Sequence, residues 1–252
     1  MPSLSIDIIP CLKDNYAYLI SGGGLTAVVD PSEAAPVELV LKQRGLKLTH
    51  ILNTHHHWDH SGGNRDLKEK FGAEVVGPGK DRSRIPAIDT GVDETTGWRF
   101  GEEAVRILEV PAHTRGAIAF VFEGAVFTGD TMFAMGCGRL FEGTPEMMVK
   151  SLAKIAALPG NTAVYCGHEY TLANGKFALT LEPENRDLRE RVGEVEAIRA
   201  EGHATVPSTI DLEKRTNPFL RTQSAEIRAS LGMEAADHVA VFAEMRRRKD
   251  NF

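Results

Sequence analysis

Short apolar runs separated by turn residues dominate the first two-thirds of the chain. They are rich in the β-branched and aromatic residues that favour strands, and glycine or proline bounds most of them. The strands that this pattern predicts are residues 3–9, 16–20, 25–30, 48–53, 74–76, 104–110, 117–122, 125–128 and 163–166. This part of the chain is therefore expected to be rich in β-structure.

Helical spacing of apolar residues appears between some of these runs. Glycine ends two of the predicted helices, and Thr144-Pro145 opens a third with proline at its first position. The predicted helices are residues 36–44, 61–71 and 144–158.

The pattern changes near residue 170. Glycine becomes sparse, charge rises, and residues 184–200 and 235–248 have helical periods, while 205–221 is predicted to be mostly loop. The sequence therefore predicts two domains, a β-rich one over residues 1–170 and a helical one over residues 171–252.

Composition narrows the possible partners. The 252 residues include 29 Lys and Arg against 35 Asp and Glu, a net charge of −6, which disfavours nucleic acid and anionic membranes as partners. No apolar run is long enough to span a bilayer, and the first residues do not have the pattern of a signal peptide. Three scattered cysteines do not make a disulfide framework, so a reducing, cytoplasmic location is expected.

Histidine stands out, because five of the nine lie between positions 50 and 60, next to a predicted strand. Residues two apart in an extended chain point the same way, so His55 and His57 can converge while His56 faces away. Asp59 and His60 follow on the turn into the next predicted helix. A divalent metal would offset the desolvation and repulsion of such a cluster, so a metal site is favoured over a histidine-rich surface loop.

Three further candidates each follow a predicted strand, at the edge where loops commonly build a site. The whole candidate set is His55, His57, Asp59, His60, His113, Asp130 and His168. Seven nitrogen and oxygen ligands are too many for one tetrahedral zinc and suit two ions, between which an aspartate is the natural bridge. His50, His203 and His238 have no such context and are expected to be ordinary residues.

The string T-H-H-H-W-D-H-S-G-G-N at residues 54–64, with the later His, Asp and His, resembles the metallo-β-lactamase fold. Within that fold the chain is most similar to the glyoxalase II family, the hydroxyacylglutathione hydrolases. The supporting strings lie at residues 127–131, 136–144, 167–171 and 247–252, so the resemblance covers essentially the whole chain. It implies an α+β fold, a four-layer αββα sandwich followed by a small helical domain that helps bind glutathione.

The resemblance also implies roles for single residues. His55, His57 and His113 would hold the first metal. Asp59, His60 and His168 would hold the second, and Asp130 would bridge the two. The residues that would grip glutathione are Arg139, Phe141, Tyr170, Arg246 and Lys249.

Three positions depart from the family pattern. Some members have a lysine and a tyrosine where this chain has Arg139 and Phe141. Arginine keeps the charge, but phenylalanine lacks the hydroxyl, so one hydrogen bond to substrate is missing here. Many members have a second histidine where this chain has Ala117. In the family, that histidine is not a metal ligand.

The implied reaction is hydrolysis of S-(2-hydroxyacyl)glutathione, typically S-D-lactoylglutathione, to glutathione and a 2-hydroxy acid, the second step of methylglyoxal detoxification. A hydroxide shared by the two ions would attack the thioester carbonyl, because a metal lowers the pKa of its bound water to about 7. Asp59 and Asp130 would be the catalytic carboxylates. Zinc is favoured for both ions, with iron or manganese as alternatives.

Other functions remain open at this point. A mononuclear-iron glutathione persulfide dioxygenase of the same fold shares H-x-H-x-D-H, but the full second ligand set and the Arg/Lys pair of the tail favour the hydrolase. The charge of −6 disfavours a nuclease. A non-catalytic module stabilised by metal would lose its folding on chelation. The expected partner is a small-molecule glutathione thioester, and a monomer is expected.

Overall fold

The apolar runs form strands that pair into two large sheets and one small hairpin. The computed structural model describes residues 4–252. The strands are β1 (Ser5–Cys11), β2 (Asn15–Gly22), β3 (Leu25–Val29), β4 (His50–Leu52), β5 (Glu74–Pro78), β6 (Thr90–Val92), β7 (Trp98–Phe100), β8 (Glu103–Glu109), β9 (Ile118–Phe122), β10 (Ala125–Gly129), β11 (Met132–Phe133), β12 (Gly136–Cys137), β13 (Ala163–Cys166) and β14 (Ser208–Thr209).

Helices connect these strands and make up most of the last third of the chain. They are α1 (Ala34–Arg44), α2 (Trp58–Ser61), α3 (Asn64–Phe71), α4 (Pro145–Ala156), α5 (Thr171–Leu181), α6 (Arg186–Ala200), α7 (Ile210–Thr216), α8 (Ala225–Leu231) and α9 (His238–Asp250). Over the described part of the chain, none of them is both long and apolar enough to cross a bilayer.

The first sheet has the strand order β1-β2-β3-β4-β5-β6, and the second has β14-β13-β10-β9-β8-β7. β3 to β6 run parallel to one another, which requires crossover connections; α1 and the α2–α3 pair provide two of them. The second sheet is antiparallel except for the β10–β13 pair.

Three apolar cores separate the layers. Between the sheets, side chains such as Tyr18, Phe120 and Phe127 pack together. α1 and α3 cover the outer face of the first sheet, where Leu41 and Leu67 are buried. The outer face of the second sheet packs against α4 and the C-terminal helices. These layers confirm the predicted αββα sandwich with an added helical part.

Most predicted strands and helices are confirmed, with small shifts at their ends. α4 begins where Thr144 accepts a hydrogen bond from the Met147 amide and proline follows, as predicted. α9 begins at His238 because Asp237 accepts hydrogen bonds from the Val239 and Ala240 amides. Ser3, the first residue of the first predicted strand, lies outside the described residues.

Of the helix predicted over residues 61–71, residues 64–71 form α3. Ser61 instead ends the preceding α2, and Gly62-Gly63 separate the two helices. A Cβ at Gly62 would lie 2.5 Å from the Ser32 carbonyl oxygen, and one at Gly63 would lie 2.9 Å from the Glu33 carbonyl carbon. The break thus lets the turn after β3 pass close to the histidine-rich segment.

The prediction that residues 205–221 are mostly loop is wrong, because this segment contains β14, α7 and a 3-10 turn at Pro218–Leu220. α7 has only seven residues, too few for a clear helical period, and its contacts with the rest of the protein stabilise it. Thr209 caps its start by accepting a hydrogen bond from the Leu212 amide. α5 and α8 were also not predicted.

Candidate metal centre

The predicted ligand residues lie at one edge of the two sheets. β8 and β10 both pair antiparallel with β9, and β13 runs parallel to β10, so these three strands end at the same edge. His113, Asp130 and His168 follow them directly or within a few residues. The segment after β4, in the facing sheet, brings His55 and His57 to the same place.

The first group of possible ligands is His55, His57 and His113. The His57 Nδ1 atom lies 3.1 Å from the His55 Nε2 atom and 3.1 Å from the His113 Nε2 atom. Nitrogens bound to zinc at about 2.0–2.1 Å lie about 3.3 Å apart around a tetrahedron. The three atoms therefore have the spacing of ligands to one ion. His56 points away and lies 2.9 Å from Asp81, as the alternation predicts.

The second group is Asp59, His60 and His168. The Asp59 Oδ2 atom lies 3.5 Å from the Nε2 atom of each histidine. Asp130 lies between the groups: its Oδ1 is 3.4 Å from His60 Nε2, and its Oδ2 is 3.5 Å from His113 Nε2. One carboxylate thus reaches both groups, as a bridging ligand must.

The residues of this cluster fit divalent ions. His60 Nε2 and Asp130 Oδ1 are buried atoms without a hydrogen-bond partner. Leaving such atoms unpaired is costly, and ligation of an ion would satisfy both. Space around them is closely filled, since a Cβ at Gly167 would lie 2.3 Å from Asp130 Oδ1. These side chains are therefore able to hold metal ions.

Hydrogen bonds on the opposite side of the rings fix two of these histidines. Asp30 lies 3.2 Å from His60 Nδ1, and Asp14 lies 2.9 Å from His168 Nδ1. Each partner orients the ring so that Nε2 faces the cluster. Neither aspartate was predicted from the sequence. Asp30 directly follows β3, so the rule that selected the other strand-end residues would have found it.

Two of the remaining rings, those of His55 and His113, are held in the same way by uncharged groups. His55 Nδ1 lies 3.0 Å from the Thr54 hydroxyl, which itself donates to Asp30. His113 Nδ1 lies 3.0 Å from the Arg139 carbonyl oxygen. Arg139 thus links the cluster to the residues predicted to bind glutathione.

The histidines of the cluster fall into two groups, those whose pKa is lowered and those whose pKa is raised. Burial, with the neighbouring His113, lowers the pKa of His57 to about 4, and burial lowers the pKa values of His55 and His113 as well. These rings are neutral near pH 7, the form that binds metals. Burial alone would also lower the pKa values of His60 and His168. The nearby carboxylates outweigh it and raise both, Asp130 with Asp30 at His60 and Asp130 with Asp14 at His168.

Asp130 is ionised in this setting. Its burial favours the neutral acid, but His60 and His168 outweigh that effect and hold the pKa of the carboxyl well below its usual range. The cluster therefore contains a charged carboxylate at its centre.

The cluster opens into a pocket of about 550 Å³. One side of the pocket is formed by His57, Asp59, His113, Asp130 and His168. The pocket is also lined by all five residues predicted to bind glutathione, which are Arg139, Phe141, Tyr170, Arg246 and Lys249. The structure thus brings the two predicted sets together in one cavity.

Aromatic rings lie next to the metal ligands. Tyr170 stacks on His168 with ring centroids 4.7 Å apart and planes parallel within 1°. The Phe141 ring lies 5.2 Å from the His113 ring and is largely exposed. Because Phe141 has no hydroxyl, the pocket surface is apolar at that point.

The pocket has a cationic wall formed by Arg139, Arg246 and Lys249, and the last helix, α9, supplies the last two. Arg246 is buried and donates a 2.7 Å hydrogen bond to the Cys137 carbonyl oxygen. The Lys249 Nζ atom lies 5.4 Å and 5.1 Å from the ring centroids of Phe177 and Phe252. Burial, with Arg246 nearby, lowers the pKa of Lys249. Phe252, which was not predicted as a site residue, also lines the pocket.

The fold and this site define a member of the metallo-β-lactamase superfamily. Residues 13–168 match the family model of that description. BLEG-1 B3 metallo-beta-lactamase aligns with a TM-score of 0.67 and 22% identity over 86% of this chain and 100% of that one. ETHE1 from Myxococcus xanthus aligns with a TM-score of 0.65 and 23% identity, over 98% and 96% of the two chains. At these identities the similarity supports the fold alone.

The C-terminal part identifies the family more narrowly. Residues 169–252 match the model described as hydroxyacylglutathione hydrolase C-terminus. The chain is 55% identical over 253 residues to a hydroxyacylglutathione hydrolase of Methylococcus capsulatus, and the alignment covers 99% of each. The chain belongs to the hydroxyacylglutathione hydrolase family. The predicted resemblance is confirmed, and the hydrolase is favoured over the dioxygenase.

Proposed function

We propose that this chain hydrolyses S-(2-hydroxyacyl)glutathione, with S-D-lactoylglutathione giving D-lactate and glutathione. One observation carries the proposal: a single cavity joins the side chains able to hold metals to a cationic and aromatic wall. Glutathione has two carboxylates that suit such a wall, and its thioester carbon can then lie near the metal ligands. The family membership supports the same substrate class.

We also propose the assignment of ligands. His55, His57 and His113 would hold one ion, Asp59, His60 and His168 would hold the other, and Asp130 would be shared by both. The distances of 3.1–3.5 Å between ligand atoms support this assignment. Zinc is favoured, with iron or manganese as alternatives, since histidine and carboxylate ligands suit all three. Two bound ions would supply a water of pKa about 7 and polarise the carbonyl group.

The side chains of the wall bind and orient the substrate. Arg246 and Lys249 attract its carboxylates by their charge. The Arg246 guanidinium is itself held by Cys137 and Asp250. The exposed Arg139 guanidinium can bind a carboxylate through two hydrogen bonds. Tyr170 and Phe141 flank the path from this wall to the metal ligands. The leaving thiol has a reference pKa near 8.5, so it departs as thiolate without a dedicated acid.

The proposal extends to the organisation of the protein. We place the domain boundary at residue 170, between the sandwich and the glutathione-binding helices. We also propose a monomer, since the proposed site needs no residue from a second copy. A cytoplasmic location is proposed because Cys11, Cys137 and Cys166 are all free thiols.

A steady-state assay with S-D-lactoylglutathione, on a sample whose metals are counted, tests the activity. Thiol release should require about two ions per chain. His57→Gln should abolish turnover and lower the metal count, whereas the matched control His203→Gln, at an exposed site, should change neither. Intact substrate in the presence of a fully metal-loaded protein would refute the proposal. Oxygen uptake with glutathione persulfide, by a protein holding one iron, would favour the dioxygenase instead.

A further inference from the structure

The cationic wall of the pocket contains one acidic residue, Asp250, at the end of α9. Its Oδ1 atom lies 3.1 Å from Arg246 Nε and 2.9 Å from Arg246 Nη2, and 3.6 Å from Arg139 Nε. Within residues 4–252, no hydrogen bond or ion pair involves the other oxygen, Oδ2. Two guanidinium groups thus hold the carboxylate in place by one oxygen and leave the second available.

The charge of Asp250 can be compared with the charges of glutathione. Among the described residues lining the pocket, the carboxylates other than Asp250 are Asp59 and Asp130, both in the metal cluster. Glutathione brings two carboxylates and one ammonium group to the pocket. Arg139, Arg246 and Lys249 attract the carboxylates but repel the ammonium group, which needs a carboxylate on the same wall.

The spacing of the charges fits one end of glutathione in particular. The γ-glutamyl residue has its free carboxylate and its ammonium group on one carbon atom. A receptor for this group needs a cation and an anion side by side, and Arg139 Nε and Asp250 Oδ1 are 3.6 Å apart. Both side chains are partly exposed on the pocket surface, so a ligand can reach them.

We propose that Asp250 binds the α-ammonium group of the γ-glutamyl residue and so selects glutathione thioesters over thioesters without that group. The inference rests on the proposed function, because it concerns the same pocket.

The test compares two substrates that differ only in this ammonium group. One is S-D-lactoylglutathione and the other is its deamino analogue, the S-D-lactoyl thioester of N-glutaryl-cysteinylglycine. The wild-type protein should have a kcat/KM roughly ten- to a hundredfold lower for the analogue, as expected for loss of a hydrogen bond to a charged group. Asp250→Asn should reduce kcat/KM for the natural substrate by a similar factor, mainly through KM, and change that for the analogue less than twofold.

A control and a binding measurement separate this role from a structural one. Glu244→Gln, on the same helix but outside the pocket and paired with Arg247 and Arg248, should alter neither substrate's kinetics. Calorimetry on the wild-type protein should show weaker binding of N-glutaryl-cysteinylglycine than of glutathione, which tests the idea even if Asp250→Asn folds poorly.

Some outcomes overturn the inference and leave the hydrolase proposal intact. Equal binding of the two thiols by the wild-type protein is one. Another is an equal loss for both substrates in Asp250→Asn, which would mean that Asp250 acts only by holding Arg246. Failure of the wild-type protein to hydrolyse either thioester would instead refute the proposed function.

Discussion

Glu213 on α7 is the centre of a buried polar network that joins the C-terminal helices to the sandwich. One carboxylate oxygen accepts hydrogen bonds from Arg191 and from the Ser208 hydroxyl, at 2.6 and 2.5 Å. The other accepts hydrogen bonds from the Met135 amide and the Asn217 side chain, both at 2.9 Å. Met135 lies in the hairpin β11–β12, which begins two residues after Asp130. The network therefore holds a turn that adjoins the metal cluster.

Glu213→Gln keeps the shape of this side chain but removes its charge. The side chains of Arg191 and Glu213 are only 6% and 0% exposed, so the arginine would be left as a buried charge without a counterion. Breaking such a pair costs about 3–5 kcal/mol in the free energy of unfolding. For a protein of this size each kcal/mol lowers Tm by about 2–4 °C, so a fall of about 6–20 °C is expected.

Thermal and urea unfolding, followed by circular dichroism at a fixed metal content, measure this effect. The control is Glu184→Gln, which removes a carboxylate that is 83% exposed and paired with Arg189. An exposed pair contributes about 0–1 kcal/mol, so Tm should fall by no more than a few degrees. If Glu213→Gln lowered Tm no more than this control, the reasoning about the buried pair would be refuted. Replacing both Arg191 and Glu213 by apolar residues should recover part of the loss.

Three further predictions concern the metal cluster and its surroundings. Asp130→Asn should lower kcat by more than about a hundredfold, because replacing even a residue that only hydrogen-bonds to a metal ligand lowers activity about 10–100-fold. Metal analysis of the same sample should find fewer ions, and full turnover would contradict the bridging role. Chelation should lower Tm but leave cooperative unfolding, because the three apolar cores do not depend on the ions; calorimetry would contradict this if the chelated protein had no transition. The Arg84 guanidinium lowers the pKa of Glu142 to about 2, so the stabilisation is present above about pH 4.5 and is lost as the pH falls towards 2. The wild-type protein should therefore lose free energy of unfolding between pH 5 and pH 3, and Glu142→Gln should lose less of it. The difference should be below about 1 kcal/mol, because Arg84 is exposed. Urea unfolding at each pH measures it, and the same pH profile for both proteins would contradict the assignment.

The sequence predicts the parts of the site that repeat a simple rule. His113, Asp130 and His168 each follow a strand, and the alternation of an extended chain separates His55 and His57 from His56. These features depend on a few neighbouring residues, so they can be deduced without knowing which strands pair. The αββα layers follow less directly, and they rested on the family resemblance.

The partners that orient the ligands could not be deduced in this way. Asp14 and His168 are 154 positions apart in the chain, and only the pairing of elements brings them within 2.9 Å. Short elements were missed for a similar reason. α7 has only seven residues. Thr209 caps its start and the buried Glu213 anchors it, and neither feature produces a periodic pattern in the sequence.

The hairpin β11–β12 connects the proposed metal ligands to the C-terminal helices that carry proposed substrate-binding residues. Its carbonyl groups accept hydrogen bonds from C-terminal side chains: Asn217 donates to Phe133 and Gly136, and Arg246 donates to Cys137. The same hairpin directly follows Asp130. A chain ending at residue 170 would lose these donors and would leave buried carbonyl groups unpaired, which is costly. The helical part is therefore expected to shape the metal cluster as well as the wall, so that removing it should weaken metal binding in addition to substrate binding.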